Sequence, residues 1–441
     1  MTGLPALRAA VRAPFVASVA LAFLLSGTAG ASAAGDPSDP LPEFDAGGDE
    51  KHFFASATFV GRETATLDSV GVEFGIARGR IGNPPLLRVR VLDAQGAVLQ
   101  AFDEWHPLWE FHWNGDAESL LVKSNGRGEF VFPFDPDAAV LEMNDVALAQ
   151  EVLRGDLTGA VSEFCASHPE DPDCEVADLR VSDVRVVEAP ALILFGQSAS
   201  MSVRTVVENA GPDGPIATRV IRSVSVGAGL SMTPNDDVED ELSLALAASA
   251  ELDRSYTLEC LTPGVHALTF TGHVEAVRAA TVDPDPSNDD KSLEVAVDCS
   301  VPVAINVKPG GSTNPIQLRS ADVPLAILST EVGEYGLPVA IDASSVEPAS
   351  LRFGTRESVA GGSGGPEIHG LAHLEDALER DERTRDGDTD AVAHFEPAQS
   401  GLTVGDQEAC VRGRFAAGSG AGAVGFLGCD AATVRASGPG L

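Results

Sequence analysis

The chain has 441 residues, with 66 Asp and Glu against 29 Lys and Arg, a formal net charge of -37, and 44% hydrophobic residues. That acidity argues against a nucleic-acid binder, whose phosphate contacts need clustered Lys and Arg that release counterions. The apolar fraction argues against wholesale disorder, and the length allows about three domains, each able to bury a core.

The first 34 residues carry Arg8 and Arg12 and no acid, then an apolar run from Phe15 to Leu25, then Ser26 to Ala33 in small residues. This order is that of a secretory signal spanning residues 1–33, cleaved after Ala33. The apolar run is about half of what a membrane span needs. No second long apolar stretch follows, and the first cysteine is Cys165, so a soluble exported protein without a lipid anchor is expected. Losing two arginines makes the mature chain more acidic still, and only four of its basic residues are lysines. The charge runs through the whole length, which suits a general surface adaptation outside the cell.

Residues 34–50 are rich in Gly, Pro and Asp and read as a flexible mature N-terminus. From 51 to 155 short alternating runs (65–70, 86–92, 96–102 and 129–134) lie between turn signals such as Asp93-Ala94-Gln95-Gly96, which predicts an antiparallel sandwich. All three tryptophans fall in Trp105-His106-Pro107-Leu108-Trp109-Glu110-Phe111-His112-Trp113. As one extended strand this would put Trp105, Trp109, Phe111 and Trp113 on one face and His106, Glu110 and His112 on the other. Buried, the row is aromatic core, the preferred reading; exposed, it is a platform for sugar rings. The two histidines, about 20 Å apart on such a strand, cannot share a metal.

Residues 156–175 differ. Leu157, Ala160, Val161 and Phe164 recur at helical spacing, predicting a short helix near 156–165 that runs into a loop closed by Cys165 and Cys174. The six cysteines fall as Cys165 and Cys174, Cys260 and Cys299, and Cys410 and Cys429. Fifteen connectivities exist, but sequential pairing keeps each bridge within one segment, and no spacing fits a zinc knuckle.

A middle module spans 176–299. It opens Val176-Ala177-Asp178-Leu179-Arg180-Val181, alternates through Ala199 to Glu208 into the turn Asn209-Ala210-Gly211-Pro212, and carries an Asp-Pro-rich turn at 283–290 before its last strand. These residues resemble the immunoglobulin-like modules of the cell-adhesion-related (CARDB) type found in secreted prokaryotic proteins. The acidic stretch Asn235 to Glu241 departs from that pattern and reads as a solvated loop.

The third module, 303–437, carries Asn306-Val307-Lys308-Pro309-Gly310, Val323-Pro324-Leu325-Ala326-Ile327-Leu328, Leu351-Arg352-Phe353-Gly354, His373-Leu374-Glu375-Asp376 and Val392-Ala393-His394-Phe395 in order. The string resembles a β-rich domain that recurs at the C-termini of secreted bacterial proteins, for which no activity is established. Its carboxylates Glu375, Asp376, Asp386, Asp388 and Asp390 are the strongest chemical candidate, because oxygen-rich loops hold Ca²⁺. It is no EF-hand: counting from Asp386, Ala391 falls where Gly is needed and Pro397 where the bidentate Glu belongs. Where the resembling family has a compact Asp-Gly loop, this chain inserts Glu379 to Arg385, whose three arginines offer an alternative, pairing with the same carboxylates in place of a cation.

Two further patterns fall short of their chemistry. Gly361-Gly362-Ser363-Gly364-Gly365 fits the Gly-x-Ser-x-Gly pattern but lies in a flexible run rather than at a strand-to-helix turn. His369 and His373, four apart, lack the Glu of His-Glu-x-x-His.

The sequence thus predicts an all-β chain of three consecutive β-sandwich modules, the middle one immunoglobulin-like. The expected function is that of a secreted, non-catalytic binding, adhesion or structural protein, with Ca²⁺ as its one candidate cofactor. A monomer is expected, with an extracellular protein or glycan as partner and neither nucleic acid nor a membrane anchor. Two other readings stay open. One is a secreted hydrolase, or its accessory region, using Glu375 and Asp376, although neighbours on a strand face opposite ways. The other is a carbohydrate binder using Trp105, Trp109 and Trp113.

Overall fold

The structure, a computed structural model, describes residues 50–77, 86–113, 118–311, 313–416 and 424–436, with backbone only at 111, 113, 118 and 119. The predicted signal and nearly all of the segment 34–50 lie outside the described residues. The chain is all-β, built as a succession of sandwiches with two short helices.

The first core is lined from two sheets. One has the strand order Thr64–Phe74, Lys51–Val60, Asn125–Pro133, and the other the order Val98–Trp105, Leu86–Leu92, Val140–Asp145, Gln150–Asp156. Alternation sends Phe53, Phe59, Phe130 and Phe132 from the first sheet and Leu87, Val89, Leu141 and Met143 from the second into one cluster. The predicted helix is present at Thr158–Ser167, and it buries Ala160, Val161, Phe164 and Cys165 on one face. Beyond it the Cys165–Cys174 disulfide closes the loop.

In the middle module the sheet Leu179–Glu188, Ser198–Asn209, Ser249–Cys260, Leu230–Thr233 faces a second one, Val238–Leu244, Ile216–Val226, Gly264–Ala276, Asp290–Pro302. Cys260–Cys299 joins the two. The acidic stretch read as a loop is half strand. Val238–Leu244 pairs with Ile216–Val226 as a sheet edge, and its Asp240 accepts from the largely buried Arg222 at 2.6 Å. Charge on an edge strand deters pairing with other chains, which explains why the segment looks like a loop in sequence.

The third core lies between Ile305–Val307, Val323–Ile327, Asp390–Phe395, His373–Glu375 and a second group, Gly425–Ala431, Glu408–Arg414, Arg352–Gly354, Gly365–Pro366. The second group continues a sheet of the middle module. Val301 and Pro302 pair in parallel with Phe426 and Leu427, and Arg412 donates to Asp298 at 2.7 Å. Cys410–Cys429 bridges opposed residues of the last hairpin.

The Asp-Pro turn of the middle module carries a pH-dependent weakness. Asp289 is pushed up to about 7 by burial and by the charge of Asp283, and its Oδ1 is buried without a hydrogen-bond partner. A carboxyl whose pKa is higher folded than unfolded is most compatible with the fold when protonated. Its ionisation therefore costs stability as pH rises from about 4 to 7. Asp289→Asn is expected to raise stability at pH 8 by about 1–2 kcal/mol, allowing for partial solvent screening, and to change little at pH 4. Urea denaturation at both pH values checks this, and an equal effect at each would contradict it.

Candidate metal centre

The site starts from Asp390, the first residue of the strand Asp390–Phe395, which is fully buried. Its carboxylate clasps two neighbouring segments, accepting from Ser329 N and Ala377 N, each at 2.8 Å. Ser329 Oγ in turn donates to Thr389 O at 2.7 Å. The extended segment after Glu375 continues past Ala377 and turns Glu379 inward to 5% exposure. Asn306 Nδ2 fixes that segment by donating to Leu378 O and Glu379 O at 2.8 and 3.1 Å. Tyr335 donates its hydroxyl to Glu379 Oε2 at 2.6 Å. It does so from a left-handed backbone, φ 49°, that costs a non-glycine residue about 1–2 kcal/mol.

Carboxylate oxygens of Glu379, Asp388 and Asp390 lie within 4.8 Å of one another, and Glu379 belongs to a second such group with Glu334 and Asp386. Glu379 Oε1, Asp388 Oδ1 and Asn306 Oδ1 are buried without a hydrogen-bond partner. Among the described residues no Lys, Arg or His pairs with any of the five carboxylates. Burial and the neighbouring charge of Asp390 push Asp388 up to about 7. Burial likewise raises Asp390, and burial with the charge of Asp386 raises Glu379. Buried negative charge with open lone pairs is costly unless a cation neutralises it. An all-oxygen donor set suits a hard divalent ion, and an irregular loop-borne one suits Ca²⁺ over strictly octahedral Mg²⁺.

The sequence-level ligand set is therefore brought together in part. Asp388 and Asp390 sit at the centre, with Asp386 in the adjoining group. Glu375 is exposed on its strand, and Asp376, although its Oδ1 is buried and unpartnered, is in neither group. Glu379 was missed as a member of the cluster because it opens the insertion read as a competitor. The signal was the two-residue spacing of Ala377 and Glu379 beyond a strand. Two of that insertion's three arginines are engaged elsewhere: Arg380 pairs with Asp430 at 3.1 Å, and Arg385 donates to the carbonyl of Asp376.

The tryptophan row is not one strand. Val98–Trp105 ends at the first indole, a turn closed by Trp109 N to His106 O at 3.0 Å follows, and Trp109–Trp113 begins afresh. Pro107, which cannot donate to a ladder, sits in that turn. His106 is fully buried, 3.5 Å from Asp145, and burial lowers its pKa. Trp105 Nε1 donates to Trp109 O at 2.9 Å, and the half-buried Trp109 packs on the first core beneath the Arg62 guanidinium. The side chain of Trp113 lies outside the described residues. Phenylalanines, not indoles, supply that core's aromatic bulk.

Ser363 Oγ donates to Ser358 O at 2.7 Å in the Gly-Ser loop. Three disulfides imply an oxidising compartment. No helix among the described residues is long and apolar enough to cross a membrane.

No family model and no curated protein matches the chain. Among solved structures it is similar to the CARDB domain of a Pyrococcus furiosus protein in complex with di-metal ions, at 16% identity over 28% of this chain and 90% of that one, TM-score 0.21. It is also similar to a conjugative transposon lipoprotein from Bacteroides eggerthii, at 15% identity over 26% of this chain and 93% of that one, TM-score 0.15. A third similarity is to Escherichia coli alpha-2-macroglobulin from domain MG7 to the C-terminus, at 13% identity over 40% of this chain and 22% of that one, TM-score 0.21.

Proposed function

We propose that the chain is an exported, non-catalytic binding or structural protein whose third module is organised by Ca²⁺ held between Glu379, Asp388 and Asp390. The observation that carries this reading is the buried Glu379 carboxylate, with one unpartnered oxygen, grouped with two aspartates and no counter-charge. The ion would neutralise the site and lock the segment 376–390 against the strand Asp390–Phe395, a stabilising role and not a chemical one. The three disulfides support an exported protein, in keeping with the signal read at residues 1–33. Extracellular Ca²⁺ modules work at dissociation constants of about 10⁻⁴–10⁻³ M. The middle module is taken as a CARDB-type immunoglobulin-like unit on the motifs quoted above, and the partner as an extracellular protein or glycan bound by a monomer.

Thermal unfolding tests the reading. Ca²⁺ at about 100 times its Kd should stabilise the EDTA-treated chain by about 2.7 kcal/mol and raise Tm by several degrees. Asp388→Asn removes a charge the apo site cannot accommodate. It should therefore stabilise the EDTA-treated protein by about 1 kcal/mol and at the same time abolish the Ca²⁺ response. A flat response in the parent chain, or an undiminished one in the variant, would sink the proposal.

A further inference from the structure

A second cluster lies on the same sheet and has different chemistry. His373 opens the strand His373–Glu375 and stands opposite Val392 on the strand Asp390–Phe395. His394, two residues beyond Val392, falls on the same face, so the two histidines are diagonal cross-strand neighbours. The loop before His373 brings His369 over them. Ring centroids lie 5.0 Å apart for His369 and His394, 5.7 Å for His373 and His394, and 6.0 Å for His369 and His373. One ring nitrogen from each lies within 4.8 Å of the others. The chain has nine histidines, so three in mutual contact is a concentration that strand packing alone does not require.

The surroundings are built as a metal's outer shell is built. His394 Nδ1 is 2.8 Å from Asp322 Oδ2, an arrangement that fixes the ring and leaves Nε2 to bind. Glu367, with its side chain 1% exposed, lies 3.8 Å from His369 Nδ1 and accepts from Leu371 N and His394 N, tying the His369 loop to the strand. Both outer groups are carboxylates, which favour a cation.

We propose that His369, His373 and His394 form a transition-metal site for Zn²⁺, distinct from the acidic site and independent of it. Imidazole donors select a borderline ion such as Zn²⁺ over Ca²⁺. Zn–N bonds of about 2.0–2.1 Å require nitrogens roughly 3.3 Å apart, so nitrogens already within 4.8 Å of one another need to close by about 1.5 Å at most. His369 and His373 are exposed, so a shift of that size displaces no core side chain. Three protein ligands leave a fourth position for water or an incoming donor. The bound ion would pin the 367–373 segment to the sheet.

The test uses the full chain stripped with EDTA and then held in excess Ca²⁺, titrated with Zn²⁺ by calorimetry and with Co²⁺ as the visible-absorption probe. The expected result is one Zn²⁺ per chain and Co²⁺ bands of a four-coordinate site. His373→Gln and His394→Gln should each weaken Zn²⁺ binding at least about tenfold, and Asp322→Asn about tenfold through loss of ring orientation. Asp388→Asn should leave Zn²⁺ affinity unchanged. His373 is exposed, so its variant reads the site without disturbing the core. No Zn²⁺ uptake by the parent chain, uptake undiminished in the His373→Gln/His394→Gln double variant, or uptake lost in Asp388→Asn would overturn the proposal.

Discussion

Replacing Phe395 with alanine is expected to destabilise the chain by about 3–5 kcal/mol, the cost of emptying a large buried aromatic site. Phe395 is fully buried and stacks on Phe353, itself fully buried, with ring centroids 5.0 Å apart and an interplanar angle of 26°. The two rings join the opposed sheets of the third module. Phe395 also ends the strand that begins at Asp390 and carries His394. Losing it should loosen the acidic cluster, so the variant should bind Ca²⁺ more weakly as well as unfold more easily. Phe395→Leu, which refills much of the volume, should cost only about 1–2 kcal/mol. Urea denaturation of the three proteins orders them, and a cost below about 1 kcal/mol for Phe395→Ala would contradict the packing described.

Lys51→Met should cost about 3–5 kcal/mol for a different reason. Lys51, 8% exposed, forms ion pairs with Asp171 and Asp173 in the Cys165–Cys174 loop and lies near the Phe134 and Phe164 rings. Asp171 is also 8% exposed, so removing the lysine leaves a buried carboxylate without its partner. The double variant Lys51→Met/Asp171→Asn should recover most of the loss, because the stranded charge goes with it. A double-mutant cycle at neutral pH measures this coupling. Equal losses in the single and double variants would mean that the lysine stem, not its charge, does the holding.

Sequence pattern made most of the fold legible where alternation and turn chemistry agree, as in Leu86–Leu92 and Ser198–Asn209. The helix at Thr158–Ser167 and the sequential disulfides were legible for the same reason, because periodicity and chain proximity are local properties. Val238–Leu244 was not: an edge strand shows its charge to water and so imitates a loop. The break in the tryptophan row went unread because its aromatic alternation masked the turn signal of Pro107. Asp388 and Asp390 were visible as a local acidic run. Glu379 and His394 were not visible as site members, since each is joined to its neighbours only when separate segments meet around the strand Asp390–Phe395.

Calorimetric titration of Ca²⁺ into the EDTA-treated chain, compared among the parent, Glu379→Gln and Glu375→Gln, tests the central claim most directly. The structure predicts saturable binding in the parent, loss in Glu379→Gln, whose side chain is buried within the cluster, and retention in Glu375→Gln, whose side chain is exposed outside it. No binding in the parent, or binding that survives Glu379→Gln and disappears with Glu375→Gln, would contradict it.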